Sequence, residues 1–246
     1  MKLLVLPAGS RQGGQVCLRG KDHHYLVHVR RIAVGDSLNA LDGDQRLSLT
    51  VVRIDETTLT LTVASREAAK SRGVSLALFP FLLKGRKLDD VIRQACEAGV
   101  DDIYPVEGEH CVARQSDSEH KTLRWNQIVR EAAQQSGQPR VPLVHDTIKS
   151  SEIPLVWANQ GLLLFFHQVP LDTGTLHRYL FSRPSRIGLV IGPEGGLSKS
   201  EVTRFRTQGA VPVWLGPFVL RAETASLYAV AAVNSILQET PEWTIR

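Results

Sequence analysis

Apolar and polar positions follow two different rhythms along the 246 residues. Up to about Ala69 the period is two. "RLSLTVVRID", then "ETT", then "LTLTVAS" puts Val, Leu and Thr at near-alternate positions around a short polar turn, which predicts a β-hairpin. The apolar start, residues 1–6, predicts a first strand. Between the strands Tyr25, Leu26, Val29 and Ile32 fall at helical spacing, with Arg30 and Arg31 on the other side. Short strands and turns of this kind predict a small β-barrel-like domain. "SREAAKSRG", residues 65–73, is polar and ends in glycine, so it marks a boundary between domains over 1–70 and 74–246.

From Val74 the grammar becomes strand, helix, strand. "SLALFPFLL" predicts a buried strand, and Leu88, Val91, Ile92 and Ala95 then keep helical spacing until Gly99. Trp125, Ile128, Val129 and Ala132 repeat that pattern until "SGQP". The strands "LLLFF", "IGLVI" and "VPVWL" follow, with helices after the last two, so the expected class is α/β with a mostly parallel sheet. The last helix, about 224–238, carries Ala225, Leu227, Tyr228, Val230, Ala231, Ala232, Val233, Ile236 and Leu237 around most of its circumference. One face against a sheet cannot bury them all, which predicts a second protein surface; a homodimer contact is favoured over a central core helix.

Composition narrows the setting. The longest apolar runs, near 76–83 and 162–166, fall far short of the roughly 20 residues that span a bilayer, so no membrane partner is expected. The chain start is a poor signal peptide. Cys17, Cys96 and Cys111 are odd in number, widely spaced and without C-x-x-C, which fits a reducing cytoplasm. His23 with His24, and His110 with Cys111, lack further ligands at zinc spacing, so no metal is expected. Net charge is +4, and residues 1–70 hold ten Lys+Arg against seven Asp+Glu, so the basic excess sits at the front. That balance admits a nucleic-acid partner without requiring one.

The most distinctive stretch is "IGLVIGPEGGLSKSEV", residues 187–202: a strand, a bare loop and a helix start. Ser198 can cap the first amides, Glu201 can return the bond, and Leu197 can pack on Val202, placing helix onset near Lys199. A glycine loop at a helix N-terminus resembles a phosphate cradle. However, no GK[ST] follows, the spacing is not G-x-G-x-x-G, and Glu194 puts a negative charge where phosphate would sit. The loop therefore suits a ligand with little negative charge. Ligands in open α/β sheets collect at strand carboxyl ends. Three ends qualify: Phe166 and His167, the 192–196 loop, and "LGPFVLRAET", whose Gly216-Pro217 repeats the Gly192-Pro193 step. Two stiff loops of bare main chain could clamp a flat ring such as adenine. The basic set Lys84, Arg86 and Lys87 before a helix reads either as a solvated helix start or as a phosphate contact.

"LVIGPEGGLSKSEV" together with "LGPFVLRAETASLYAVAAV" closely resembles the RsmE family, SPOUT-class knotted methyltransferases that modify N3 of a uridine in small-subunit (16S) ribosomal RNA. "HHYLVHVRRIAVGD", "LDDVIRQACEAGVDDIYPV" and "RWNQIVREAAQQSGQPRVP" resemble family segments in family order. The resemblance implies a PUA-like front domain for RNA, a C-terminal domain threaded as a trefoil knot, S-adenosylmethionine bound there, and a homodimer. By position it implies that Gly192, Pro193, Glu194, Gly195, Gly196, Leu215, Gly216 and Leu220 line the cofactor, with Phe166 and His167 closing it. Arg221, Glu223 and Thr224 would face the reaction, Arg221 as the cation for the uracil anion and Glu223 orienting Arg221 or relaying the proton. RNA contacts are expected from Arg30, Arg31, Lys84, Arg86 and Lys87. The family usually has arginines where this chain has Phe218 and Gln138, so Arg140 or a basic residue of the partner subunit is the candidate substitute.

Overall fold

The computed structural model describes residues 3–68, 73–114, 118–171 and 174–239. The chain divides into two compact units, Met1–Ser71 with Ala133–Val141, and Arg72–Ala132 with Pro142–Arg246.

The first unit contains β1 (Leu4–Val5), β2 (Arg11–Gln12), β3 (Gln15–Arg19), α1 (Gly20–His24), β4 (Ser37–Asp42), β5 (Gln45–Ile54) and β6 (Thr58–Ala68). They form one six-stranded sheet in the order β1-β4-β5-β6-β3-β2. Only the β1–β4 pair is parallel; the other pairs are antiparallel. Period-two burial along β5 and β6 sends Leu47, Leu49, Val51, Leu59 and Leu61 into a core shared with Val16, Leu18 and Leu38. The polar "SREA" is not linker. It extends β6, with Arg46 opposite Glu67 and Leu47 opposite Arg66; exposed strand residues need no apolar alternation, so the pattern ended before the strand did.

The helical segment after β3 also differs from the sequence expectation. α1 gives way to a π turn over Tyr25–Val29, closed by Arg30 N–H to Tyr25 O at 2.9 Å. That wider winding rotates Tyr25 and Val29 outward, and only Leu26 of the expected stripe is buried, while Arg30 and Arg31 are exposed.

The second unit contains β7 (Ser75–Pro80), α2 (Lys87–Glu97), β8 (Asp102–Ile103), β9 (Val106–Glu107), α3 (Ser118–Ser136), β10 (Leu143–Val144), β11 (Ile148–Lys149), α4 (Ile153–Val156), β12 (Leu162–His167), α5 (Leu176–Leu180), β13 (Arg186–Ile191), α6 (Lys199–Thr207), β14 (Val211–Trp214) and α7 (Ala222–Gln238). The end of α3 counts with the first unit. Six strands form a sheet ordered β10-β8-β7-β13-β12-β14, with every pair parallel. β9 and β11 make a separate parallel pair. Leu76–Phe79, Leu163–Phe166 and Ile187–Ile191 are buried runs, as a sheet covered on both faces requires. α2 stops where Gly99 takes φ +89°.

Strand order doubles back at its edge, because β12 lies between β13 and β14. Phe166 pairs with Ile191 and His167 with Trp214, so these three strands end side by side. α7 packs against α2, α5 and β13 through Ala222, Ser226, Ala229, Val230 and Val233. Its other side leaves Leu227 38% and Tyr228 52% exposed. Among the described residues no helix is long and apolar enough to cross a membrane.

Candidate active site

The turn after β13 is built as the sequence dictates. Gly196 N–H donates to Pro193 O at 2.8 Å, and Gly196 takes φ +72°, a value that favours glycine. The helix start is a capping box: Glu201 N–H donates to Ser198 Oγ at 3.1 Å, and Ser198 N–H donates to Glu201 Oε2 at 2.8 Å. The other carboxylate oxygen of the fully buried Glu201 accepts Glu109 N–H at 3.1 Å. Gly195 leaves little room for a side chain, since a Cβ there would lie 3.1 Å from His110 Cβ and His110 would have to give by a few tenths of an ångström. The His110 ring nitrogen Nδ1 lies 3.1 Å from Gly196 O. The loop is thus fastened from behind to residues 109–110, leaving its front bare.

A cavity of ≈ 270 Å³ opens in front of it. Phe166, His167 and Gln168 contribute from the end of β12, and Ile191, Gly192, Pro193, Glu194, Gly196 and Leu197 from the end of β13. After β14 come Leu215, Gly216, Phe218, Val219, Leu220 and Arg221, with Ala222 and Ala225 from α7. Gly216 has φ +123° with open space where a Cβ would point, so the main chain itself forms that wall. Gly195 and Thr224, both expected at the cofactor, do not line the cavity: Gly195 is turned toward His110, and Thr224 is exposed on α7. The sequence reading missed Gln168, Ile191, Leu197, Val219, Ala222 and Ala225. For Ala222 and Ala225 a signal existed, since a helix start at 222 places them a turn apart below Arg221.

Charge is organised by one lysine. Lys87 Nζ lies 3.5 Å from Glu194 Oε1 and 3.4 Å from Glu223 Oε1, joining the starts of α2 and α7 to the glycine loop. Lys84 N–H also points to Glu194 Oε1, at 3.4 Å. Burial opposes ionisation of Glu194, but its own amide, the Lys84 amide and the Lys87 ammonium outweigh it and hold the carboxyl below its ordinary value. Glu223 Oε2 is buried with no hydrogen-bond partner among the described residues. Glu223 therefore faces Lys87, and among the described residues no ion pair joins it to Arg221. Arg221 is exposed at the N-cap of α7.

The remaining basic candidates are spread out. Arg86 is exposed, with Nε 3.7 Å from Asp89 Oδ2. Arg140, in the first unit, has Nε 2.9 Å from Asp44 Oδ1. Gln138 is buried, whereas Phe218 is 81% exposed at the cavity. Among the described residues no group of three or more His, Cys, Asp or Glu is placed to hold a metal.

An all-parallel sheet with a mostly apolar cavity at its carboxyl edge, walled by two Gly-Pro loops and carrying one ionised acid and one arginine, defines a binder of a small, non-anionic ligand. The RNA methyltransferase domain model matches residues 70–234, and the chain belongs to that family. Similar proteins include ribosomal RNA small subunit methyltransferase E 2 of Borreliella burgdorferi, 30% identical over 97% of this chain and 99% of its own. Ribosomal RNA small subunit methyltransferase E of Bacillus subtilis is 28% identical over 88% of both chains. In structure the chain is similar to ribosomal RNA small subunit methyltransferase E from Neisseria gonorrhoeae bound to S-adenosyl methionine. The TM-score is 0.83 at 24% identity, covering 96% of this chain and 98% of that one.

Proposed function

We propose that this protein methylates N3 of a uridine in small-subunit (16S) ribosomal RNA, using S-adenosylmethionine. The observation that carries the reading is the cavity at the ends of β12, β13 and β14, on a chain similar along almost its whole length to named ribosomal RNA methyltransferases. The cavity residues fit the cofactor. Their volume lies near the lower end of the ~300–1,000 Å³ usual for small-molecule sites, room for an adenosine-sized part. Apolar walls at Phe166, Ile191, Leu215 and Leu220 suit a flat base, and bare main chain at Gly192 and Gly216 suits hydrogen bonds to it. Glu194 disfavours phosphate and favours a cation.

When bound, S-adenosylmethionine supplies a methyl group on a positively charged sulfur. The chain's own work is alignment and charge. Holding base and methyl carbon in line is worth up to ~10⁵ M or more in effective molarity. Uracil N3 must lose its proton, and Arg221, solvent-exposed at the cavity and at the positive end of α7, stabilises the negative charge left on the ring. N3 is a base-pairing atom, so the target is unpaired or flipped out.

In this reading residues 1–70 form a PUA-like barrel that holds RNA through Arg30 and Arg31, and residues 74–246 form a SPOUT domain knotted around the cofactor. Within the second unit Lys84, Arg86 and Lys87 are the candidates for RNA contact. The outward Leu227 and Tyr228 of α7, with Trp214, Phe218 and Val219 also exposed, support a homodimer through the last helix. The protein would act in the cytoplasm, where ribosomal subunits are assembled. Phe218 in place of an arginine at the cavity supports a second reading, a different target nucleotide in RNA. Incubating the protein with a deuteromethyl-labelled donor and small subunits or free 16S RNA from cells lacking it tests both. Labelled 3-methyluridine supports the first reading, another labelled nucleoside the second, and no label refutes both.

A further inference from the structure

Resting on the cofactor reading above, we infer that Glu194 is the residue by which the cavity distinguishes the cationic methyl donor from its neutral product, and that Glu223 maintains this preference by sharing Lys87. Three observations converge. Glu194 is the one Asp or Glu among the residues lining the cavity. Its Oε1 is held by the Lys84 amide and the Lys87 ammonium, which fixes the side chain at the wall. Lys87 is not Glu194's alone, since Glu223 Oε1 lies at nearly the same distance, 3.4 against 3.5 Å.

The charge count follows from that sharing. Two carboxylates and one ammonium sum to −1, so the three groups together keep one negative charge, part of it on Glu194 beside the ligand. Lys87 paired with Glu194 alone would cancel it. Glu223 thus acts as a positioning residue from behind the wall: it does not line the cavity, and its Oε2 is buried without a partner among the described residues. The ammonium is its compensation, which keeps Lys87 between the two acids.

S-adenosylmethionine and S-adenosylhomocysteine share their adenosine and amino-acid ends and differ by one methyl group and its positive charge. A cavity of ≈ 270 Å³ is about 8 Å across, so any bound sulfur lies within roughly that distance of Glu194. A unit charge there, partly screened because Glu194 is about one-third exposed, favours the sulfonium by roughly three- to tenfold. Arg221, the cation lining the cavity, opposes the sulfonium, but it is present in every variant and so cancels in the change of preference from wild type to variant, which is the quantity tested. The preference has a use: once the methyl group leaves, the product loses the attraction and dissociates sooner.

The test is calorimetry of both compounds with wild type, Glu194→Gln and Glu223→Gln at pH 7.5, without RNA. The expected result is wild-type preference for S-adenosylmethionine by roughly three- to tenfold, lowered toward unity in both variants, with homocysteine-compound affinity changing less. Far-ultraviolet circular dichroism verifies each fold, and Glu223→Gln, remote from the ligand, keeps the test alive should Glu194→Gln not fold. A preference unchanged in the folded variants, or absent in wild type while both compounds bind, overturns the inference and leaves the cofactor reading standing. Binding of neither compound to wild type overturns both.

Discussion

Replacing Glu201 by glutamine probes how the glycine loop is held. The change keeps the volume of a fully buried side chain, so packing is preserved and hydrogen bonding alone is altered. Each carboxylate oxygen now accepts a backbone amide, Ser198 N–H at 2.8 Å and Glu109 N–H at 3.1 Å. Glutamine offers one acceptor oxygen, and its NH2 group would meet the second amide donor to donor. One charge-assisted bond is lost, worth about 1.5–3 kcal/mol, and the part-buried Glu109 amide must turn to solvent. Relaxation recovers part of this, so the expected loss is about 1–2 kcal/mol. Among the described residues the tryptophans, at 125, 157 and 214, all belong to the second unit, so intrinsic fluorescence in a urea titration reports on it. The midpoint should fall with the slope unchanged. Ser198→Ala, which removes the cap and the hydroxyl contact to Ser200 Oγ at 2.8 Å, should cost about 1 kcal/mol. A Glu201→Gln loss below about 0.5 kcal/mol would refute the reasoning, since a bond that can be rewired so cheaply does not anchor the loop.

Other consequences are open to measurement. Arg221→Ala should leave S-adenosylmethionine affinity within a few-fold and lower methyl transfer about a hundredfold or more; unchanged turnover removes Arg221 from the mechanism. Gly216→Ala must place a side chain at φ +123°, a strain of about 1–3 kcal/mol, and should weaken S-adenosylhomocysteine binding roughly tenfold. Gly209→Ala, at φ +85° beyond α6 and away from the cavity, should cost stability but not affinity, and equal losses of affinity would contradict the cavity wall assignment. Asp102 is opposed by burial, but the His145 ring 2.9 Å away and the Arg186 guanidinium at 3.1 Å outweigh it and hold the carboxyl below its ordinary value. Because the folded value is depressed, this stabilisation is present above the unfolded carboxylate pKa of about 3.9 and is lost as pH falls through the folded one. Asp102→Asn should therefore be less stable than wild type at pH 7, with the gap closing below about pH 4; a gap independent of pH refutes the linkage.

Much of this architecture is legible because its signals are local. The hairpin shows as alternation, and β5 and β6 occupy those segments. α2 shows as a four-point stripe ending at a left-handed Gly99. The capping box at Ser198 and Glu201 forms as the spacing requires. Signals fade where the determinant is not local. α4 and α5 span four and five residues, too few for a period to register. The π turn at Tyr25 is a change of winding that no apolar pattern encodes. At the site, the loops that meet were readable from their Gly-Pro steps and from the family resemblance. The Lys87 bridge was not, because it joins residues 107 and 136 positions apart, from two helix starts and a loop brought together only by the tertiary fold.

The central claim, methylation of a uridine N3 in small-subunit ribosomal RNA, is tested most directly by nucleoside mass spectrometry of that RNA from cells with and without this protein. 3-Methyluridine should be present in the first, missing in the second, and restored by the wild-type chain but not by Arg221→Ala. An identical nucleoside profile in both would contradict it.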